Sequence, residues 1–257
     1  MKALSQFDGK INLVFTDIDD TLTSEGRLGS LAYNKLWQLQ ESGVHVVPVT
    51  GRPAGWCEMI ARMWPVNGVI GENGAFYFQY KNKKMKRVFA ISDEERRSHQ
   101  IKLKAIEAKI LHNVTGSALA SDQFCRLFDL AIDFCEDVKP LPKESVQTIV
   151  SIFKKHGATA KISSIHVNGW FGDYDKKTMC EIFYRDQFAR ELSENLESCA
   201  FIGDSPNDEP LFAFFKNSFA VANIKDFEDQ LQFKPQFVCQ NLGGEGFAEF
   251  ADYILKI

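Results

Sequence analysis

The stretch INLVFTDIDDTLT, residues 11–23, joins a run of apolar residues to a run of acidic ones. Residues 11–16 are rich in β-branched and aromatic side chains and end at a polar cluster, which is typical of a buried strand. Three carboxylates follow within four residues, on Asp17, Asp19 and Asp20. Because these charges repel one another, a fold that gathers them at a strand end needs a cation nearby. A solvated acidic turn is the alternative that this stretch alone leaves open.

Apolar strands alternate with amphipathic helices in the first third of the chain and again in the last third. We predict strands at 11–16, 44–49, 68–70, 199–202, 218–222 and 236–239. The helices predicted between and after them lie at 30–42, 53–63, 175–193, 207–215 and 247–255. This alternation predicts an α/β fold with a doubly wound (Rossmann-like) parallel sheet. Because Pro48 cannot donate a ladder hydrogen bond, its strand is not expected at a fully paired central position.

The middle third lacks this alternation and carries no recognisable chemical motif. AFYFQY and RVFAI flank the basic run Lys81–Arg87, which predicts a hairpin with a charged, solvated turn rather than a nucleic-acid patch. Between about 92 and 167, helical periods mix with short strands, the helices at 93–111 and 143–156 and the strands at 128–134 and 158–168. We interpret this region as an inserted α+β module.

The two kinds of pattern divide the chain into two predicted domains. Residues 1–82 and 173–257 are expected to form the core, and residues 83–172 an inserted α+β cap domain. In a doubly wound fold the functional site lies at the carboxyl ends of the strands. We therefore expect the site at that edge of the sheet, beneath the insert.

Two further polar clusters follow predicted strands of the core. In Thr50-Gly51-Arg52-Pro53, a hydroxyl and small-residue backbone N–H groups stand at a helix start, where they can bind the oxygens of an anion. The acidic sequence GDSPND, residues 203–208, follows another strand. Because parallel strands end at one edge of the sheet, the two acidic clusters can converge there. Carboxylates beside an anion-binding turn indicate Mg²⁺ together with a phosphate.

The composition limits the classes of function. Lys and Arg number 30 and Asp and Glu 34, so the net charge of -4 indicates neither general nucleic-acid binding nor attraction to anionic membranes. No apolar stretch approaches the roughly 18 residues of a membrane span, and Asp8 and Lys10 interrupt any signal-peptide core. The six cysteines form no CxxC pair, so we expect reduced thiols rather than zinc ligands or disulfides. These observations predict a soluble, cytoplasmic protein.

DIDDTLT, VTGR and GDSPND, in this order, resemble three motifs of the haloacid dehalogenase (HAD) superfamily of phosphotransferases. The fourth motif of that family is a lysine ahead of the GD strand, and Lys176, which opens a helix after the insert, matches it better than Lys177 does. The sequence ENGA at 72–75 resembles the turn that leads into the large cap of Cof-type sugar phosphatases, and the insert lies where those members carry their cap. GGEGF at 243–247 resembles a late loop of sucrose-phosphate and mannosyl-phosphoglycerate phosphatases.

The resemblance, which covers about residues 11–75 and 170–250, implies a role for each matching residue. Asp17 is implied as the nucleophile that forms an aspartyl-phosphate. Asp19 is implied as the acid that protonates the leaving alkoxide and then activates the attacking water. Asp17 and Asp204 would give carboxylate oxygens to Mg²⁺, and Asp19 its backbone carbonyl.

The other implied residues hold the phosphate or support the groups around it. Thr50, the Gly51 N–H and Lys176 would hold the phosphoryl oxygens as charge redistributes in the transition state. Three further candidates are expected to bind substrate: Arg52, Asn73 and Asn207. Asp208 and Ser205 are expected to hold the residues that contact the metal and the substrate in place. Among them, Asn207 and Asp208 would orient Lys176 or metal-bound water.

One residue departs from the family pattern, and two others have open roles. Asp20 stands where the family commonly has Gly, so its side chain adds negative charge beside the metal and can alter metal preference or loop geometry. His166 and Trp170 lie where the insert rejoins the core. They could contact substrate, although packing in the core or at a hinge is the simpler interpretation.

The resemblance implies a Mg²⁺-dependent phosphatase, a monomer or homodimer, that hydrolyses a small phosphorylated metabolite. GGEG favours a sugar phosphate or a phosphorylated sugar acid, and the large cap would exclude bulky phosphoproteins and polynucleotides. A phosphosugar mutase on the same scaffold is one alternative. A non-catalytic HAD-like binding protein is another, but such proteins typically lose the nucleophile or the lysine, and this chain keeps both.

Overall fold

The computed structural model of the chain describes residues 1–163 and 165–256. Its helices are α1 (Ser30–Glu41), α2 (Ala54–Met63), α3 (Asp93–Asn113), α4 (Lys143–Lys155), α5 (Lys176–Phe188), α6 (Glu209–Phe214) and α7 (Gly243–Lys256). Its strands are β1 (Lys2–Ala3), β2 (Leu13–Thr16), β3 (Thr23–Ser24), β4 (Arg27–Leu28), β5 (His45–Pro48), β6 (Val69–Gly71), β7 (Phe76–Lys81), β8 (Lys84–Phe89), β9 (Ala118–Leu119), β10 (Leu130–Asp133), β11 (Thr159–Ile162), β12 (His166–Trp170), β13 (Cys199–Gly203), β14 (Asn217–Ala220) and β15 (Phe237–Val238). Short 3₁₀ helices join several of them, including Glu72–Gly74, Pro206–Asp208 and Ala222–Gln230.

Six parallel strands form the central sheet, in the spatial order β1-β15-β14-β13-β2-β5. Every residue of β2 and β13 is buried, as expected of parallel strands covered on both faces. Their register pairs Thr16 with Ile202, so Asp17, the first residue after β2, lies beside Gly203, the last residue of β13. β5 stands at the edge of this sheet, in agreement with the expectation from Pro48.

Helices cover both faces of the central sheet. On one face α1 and α7 pack around a cluster that includes Val14, Leu36 and Phe250. On the other face α5 and α6 pack around a cluster that includes Phe15 and Phe183. This layering confirms the predicted doubly wound α/β core.

The middle of the chain forms a four-stranded antiparallel sheet in the order β11-β12-β10-β9. α3 and α4 pack on one of its faces, around Ile110, Ile149 and Val167. Because successive side chains of a strand point to opposite faces, His166 and Asn168 lie on the other face. We call this unit of two helices and four strands the cap, and its α+β character agrees with the prediction from sequence.

The single strand predicted at 158–168 is wrong, because the structure forms a hairpin there. β11 ends at Ile162 and β12 begins at His166, with Lys161 opposite Asn168 in the ladder. Ser164 lies outside the described residues. The sequence KISSIHV has neither Gly nor Pro, so little in it signals the reversal.

The basic run Lys81–Arg87 is not a charged turn, since β7 and β8 extend through it. Only Asn82 and Lys83 connect the two strands, both with positive φ, at 52° and 59°. Such a two-residue turn matches the twist of paired antiparallel strands. β8 is an edge strand of the sheet β6-β7-β8, where lysines are tolerated because half of the strand faces solvent. Because half of the residues of β8 are charged, their sequence lacks the apolar pattern that predicts a strand.

Two helix ends differ from the prediction by more than two residues. α7 begins at Gly243 instead of 247, so GGEG forms the first turn of a helix and not a loop. α5 ends at Phe188 instead of 193, because Ala189 takes a left-handed conformation with φ of 52°. No helix in the described part of the chain is long and apolar enough to cross a membrane.

Candidate active site

Three buried carboxylates meet at the carboxyl edge of the central sheet. Asp17 follows β2, while Asp204 and Asp208 follow the neighbouring strand β13. One carboxylate oxygen from each of the three lies within 4.8 Å of the others. Gly203 allows this approach, because a Cβ there would lie 2.3 Å from Asp208 Oδ2. The two acidic clusters of the sequence therefore converge, and the solvated-turn alternative for the first of them is excluded.

Lys176 lies between two of these carboxylates. Its Nζ donates hydrogen bonds to Asp17 Oδ1 at 2.7 Å and to Asp208 Oδ1 at 2.8 Å. The lysine is buried at the start of α5, and the side chain of Asp175 caps that helix by accepting from the Thr178 N–H. The helix start thus presents the ammonium group directly to the acid cluster.

The charge of the cluster is not balanced by protein groups alone. Burial raises the pKa of Asp17 against the opposing charge of Lys176, and with the charges of Asp208 and Asp19 the pKa is about 8. Burial, together with Asp208 and Asp17, also raises the pKa of Asp204 well above its ordinary value. Three buried carboxylates against one ammonium fit a hard divalent cation with oxygen ligands, such as Mg²⁺. The residues present therefore fit the metal that the sequence implies.

The loop that carries the first acidic cluster is closed by local hydrogen bonds. The carbonyl of Ile18 accepts from the N–H groups of Leu22 and Thr23, at 2.9 and 3.0 Å. Asp20 has a positive φ of 55°, and its N–H donates to Thr23 Oγ1 at 3.1 Å. A left-handed position favours glycine, which accounts for Gly being common there in the family that the sequence resembles. Burial and the charge of Asp19 raise the pKa of Asp20.

Arg52 is bound to Asp19 across the site. Its Nε lies 3.0 Å from Asp19 Oδ1, and its Nη2 lies 2.8 Å from the same oxygen. The guanidinium also stacks at 4.5 Å from the centre of the Trp56 ring. The Arg52 N–H donates to Thr50 Oγ1, which leaves the hydroxyl hydrogen of Thr50 free to donate elsewhere. The turn after β5 therefore fixes both the hydroxyl and the arginine next to the acidic loop.

A cavity of about 670 Å³ lies over the acid cluster and beneath the cap. Its core side includes Asp17, Asp19, Asp20, Gly51, Arg52, Asn73, Asp204, Ser205, Pro206, Asn207, Asn223, Asp226, Phe227 and Gln230. Its cap side consists of Arg126, Ile162, Ser163, Ile165, His166 and Asn168. The volume suits a small metabolite.

Two charge networks join the cap to the core. Arg126 binds Asp122 and Asp129 in the cap, and its Nη1 donates to the carbonyl of Gly51 in the core at 3.0 Å. Asn168 completes this network by donating to Asp129 Oδ2 at 2.9 Å.

In the second network, Glu136 stands between the cap and the core. One of its carboxylate oxygens lies 2.9 Å from His166 Nε2, and the other lies 3.9 Å from Arg52 Nη1. Burial and the charge of Arg126 lower the pKa of His166. Arg52 therefore contacts both Glu136 of the cap and Asp19 of the core.

Glu72 also joins the cap to the core, through its buried carboxylate. The carboxylate accepts from the N–H of Ala54 at the start of α2 and from the N–H groups of Leu127, Phe128 and Asp129. Burial and, to a smaller extent, the charge of Asp129 raise the pKa of Glu72 to about 7, against the opposing charge of Arg126.

The turn that carries Glu72 has three consecutive residues with positive φ. Glu72, Asn73 and Gly74 have φ of 41°, 58° and 103°. A Cβ on Gly74 would lie 2.0 Å from the Asp175 carbonyl oxygen, so only glycine fits. This turn places Asn73 at the cavity.

We expect Glu72→Ala to lower the free energy of unfolding by about 2–4 kcal/mol, because buried N–H groups lose their acceptor. Chemical denaturation followed by circular dichroism measures the change. Glu41→Ala, at an exposed glutamate on α1, is the matched control and should change stability by less than about 0.5 kcal/mol. Equal effects of the two substitutions would contradict the role assigned to Glu72.

The structure places the site residues predicted from sequence in two layers. Those that line the cavity are Asp17, Asp19, Gly51, Arg52, Asn73, Asp204, Ser205 and Asn207. Thr50, Lys176 and Asp208 are buried behind them. Trp170 is also buried and stacks on Tyr174, as the packing interpretation expects, whereas His166 lines the cavity.

Several residues of the site were not found from the sequence. They are Glu72 as a cap contact and the cap residues Arg126, Glu136 and Asn168. No motif or spacing marks them, since their places depend on how the cap sheet lies against the core.

The GGEG segment is linked to the cavity through Asn223, which lines it. The Gly243 N–H donates a hydrogen bond to Asn223 Oδ1 at 2.9 Å.

Comparison with known proteins gives one family match and one curated relative. A family model described as haloacid dehalogenase-like hydrolase matches residues 14–115. The chain is 24% identical over 243 residues to a protein of Methanobrevibacter smithii named phosphoglycolate phosphatase, and the match covers 93% of this chain and 96% of that one.

Solved structures share the fold over nearly the whole chain. A Thermoplasma acidophilum protein superposes with a TM-score of 0.74 at 18% identity, covering 96% of this chain and 99% of that one. The sucrose-phosphatase of Synechocystis sp., solved in complex with sucrose and phosphate, superposes with a TM-score of 0.63 at 16% identity, covering 95% and 98%. The arrangement of core and cap is therefore shared with these proteins.

Proposed function

We propose that the chain is a phosphatase of the haloacid dehalogenase-like hydrolases, and that it hydrolyses a small phosphorylated sugar or sugar acid with Mg²⁺ through an aspartyl-phosphate intermediate. The family match over residues 14–115 and the name of the curated relative support the first part of this proposal. The observation that carries the proposal is the buried group of Asp17, Asp204 and Asp208 with Lys176 among them, beneath a cavity of metabolite size.

The carboxylates of Asp17 and Asp204 and the backbone carbonyl of Asp19 are the proposed metal ligands, with Asp208 close enough to Asp17 and Asp204 to support them. Mg²⁺, when bound, would offset the repulsion between the Asp17 carboxylate and a phosphate dianion.

In the proposed first step, an Asp17 oxygen attacks phosphorus in line, and the bond between phosphorus and the ester oxygen breaks. Asp19 gives its proton to the leaving alkoxide. The contact with Arg52 fixes the position of this group, because it holds the Asp19 carboxylate at the cavity. Asp19 must leave this ion pair to carry the proton, since a guanidinium favours the ionised carboxylate. In the second step, Asp19 accepts a proton from the water that attacks phosphorus, which releases phosphate and restores Asp17.

The phosphoryl oxygens are proposed to be held by the Thr50 hydroxyl, the Gly51 N–H and the Lys176 ammonium. These donors are fixed by the fold before substrate arrives, and fixed donors stabilise charge that develops in the transition state. Asn73 and Asn207 line the cavity and supply further polar contacts to the substrate.

Phosphate release from a panel of phosphorylated sugars, sugar acids and nucleotides, with Mg²⁺ and with EDTA, tests the proposed function. We expect release that depends on Mg²⁺ and is concentrated in one class of sugar or sugar acid. Isomerisation of a phosphosugar in the presence of a bisphosphorylated activator, with little phosphate released, would contradict hydrolysis and support a mutase. Equal activity in EDTA would contradict the role of the metal.

A further inference from the structure

Three cations at the cavity are already paired with carboxylates. Lys176 binds Asp17 and Asp208, Arg52 binds Asp19, and Arg126 is held by two aspartates of the cap. These pairs leave little positive charge for any part of a substrate beyond its phosphate. The cavity wall is otherwise acidic or neutral, so a second anionic group on a substrate needs a further cation.

Lys161 is a cation of the cap without such a pair. Among residues 1–163 and 165–256, no hydrogen bond or ion pair reaches its side chain. Lys161 lies opposite Asn168 in the ladder between β11 and β12, and directly paired residues project from the same face of a sheet. Asn168 lines the cavity. The lysine therefore stands on the face of the cap that covers the site.

The electrostatic surroundings of Lys161 point to the phosphate site. Burial lowers the pKa of Lys161, and the charge of Lys176 lowers it further, while Asp175 and Asp208 raise it. Lys161 is thus within electrostatic range of the lysine that lies behind the proposed phosphate position. Asp175 and Asp208 act on Lys161 only from a distance, since neither forms an ion pair with it. An ammonium partly withdrawn from water without a contacting carboxylate is costly, and a bound anion would relieve that cost.

We propose that Lys161 binds a carboxylate of the substrate, a few bonds from the phosphate ester. The inference rests on the proposed function and narrows it to phosphorylated acids, in preference to neutral phosphosugars. A neutral substrate leaves Lys161 unpaired, whereas a carboxylate pairs with it while the phosphate occupies the acid cluster. Lys161 is then a specificity-determining residue supplied by the cap.

The experiment compares substrates that differ only in this carboxylate. The matched pairs are 2-phosphoglycolate with 2-hydroxyethyl phosphate, 3-phosphoglycerate with glycerol 3-phosphate, and 6-phosphogluconate with glucitol 6-phosphate. Wild-type protein, Lys161→Met and Lys161→Arg are assayed for kcat/KM with Mg²⁺, and Lys155→Met, at an exposed lysine of α4 in the cap, is the matched control. p-Nitrophenyl phosphate, which has no carboxylate, reports phosphatase activity in every variant.

We expect wild type to favour the acid of at least one pair, and Lys161→Met to lower kcat/KM for that acid by about 10- to 100-fold. The neutral partner and p-nitrophenyl phosphate should change by less than about 2-fold, and Lys161→Arg should keep most of the preference, because it retains the charge. Wild type without preference for any acid, or Lys161→Met with equal losses on both members of a pair, overturns the inference while leaving the phosphatase proposal intact. Absence of Mg²⁺-dependent release from p-nitrophenyl phosphate and from all six compounds overturns the proposed function itself.

Discussion

Asp17→Asn is expected to reduce turnover by about 10⁴-fold or more, because the amide cannot attack phosphorus. The fold should persist, since the substitution keeps the shape of a buried side chain and removes one of three crowded negative charges. We expect the midpoint of thermal unfolding to remain within about 5 °C of wild type. Steady-state kinetics and a thermal melt on the same preparation measure both effects.

The control for this substitution is Asp226→Asn, since Asp226 also lines the cavity but lies outside the acid cluster. It should retain activity within about 10-fold of wild type. Appreciable turnover by Asp17→Asn, at a level near that of Asp226→Asn, would reject Asp17 as the nucleophile.

Lys176→Met is expected to lower kcat/KM by about 10²- to 10³-fold, because a fixed donor to the phosphoryl oxygens is lost. The substitution also leaves the buried carboxylates of Asp17 and Asp208 without their ammonium partner. The metal-free protein should therefore become less stable, by up to about 3–5 kcal/mol. Added Mg²⁺ should recover part of the stability without restoring the rate, which separates the two roles of the lysine.

The adjacent residue provides the matched control. Lys177 has its ammonium 4.7 Å from the centre of the Phe214 ring and does not bind the acid cluster. Lys177→Met should leave kcat/KM within about 2-fold of wild type. A larger loss of kcat/KM from Lys177→Met than from Lys176→Met would assign the role of phosphate-binding lysine to Lys177.

The core of the site could be predicted from the sequence because its determinants are local. Apolar strands that end in Asp17, Thr50 and Asp204 identify themselves by composition, and parallel strands necessarily end at the same edge of a sheet. Convergence of the acidic residues then follows without knowledge of the long-range packing. Lys176 could be identified only through the resemblance to the family, because a lysine at a helix start has no distinctive local signal.

The cap side of the site could not be predicted in the same way. Asn168 lines the cavity, and Lys161 lies opposite it in the ladder, only because β11 and β12 form a hairpin whose turn lacks Gly and Pro. Moving that turn by one residue would send Lys161 to the opposite face. Glu72 presents a related difficulty, since its carboxylate oxygens accept hydrogen bonds from backbone N–H groups more than 50 residues away in the chain. Such contacts depend on how the cap packs against the core, and they leave no periodic pattern in the sequence.

Asp20, which departs from the family pattern, changes the charge of the site. The residue takes the left-handed conformation that favours glycine, and its side chain lines the cavity. The charge of Asp20 raises the pKa of Asp204 and thus adds to the negative potential of the cluster. An aspartate at this position strengthens the requirement for a cation at the site.

The measurement that most directly tests the central claim is mass spectrometry of the protein quenched in acid during turnover. Wild type is mixed with Mg²⁺ and the best substrate of the panel, quenched within the first turnover, and digested. We expect one phosphate on the peptide that contains Asp17, no phosphate in the Asp17→Asn protein, and a phosphorylated fraction that decays as free phosphate appears. Phosphate release at the same rate with no protein-bound phosphate, or with phosphate on another residue, would contradict the account.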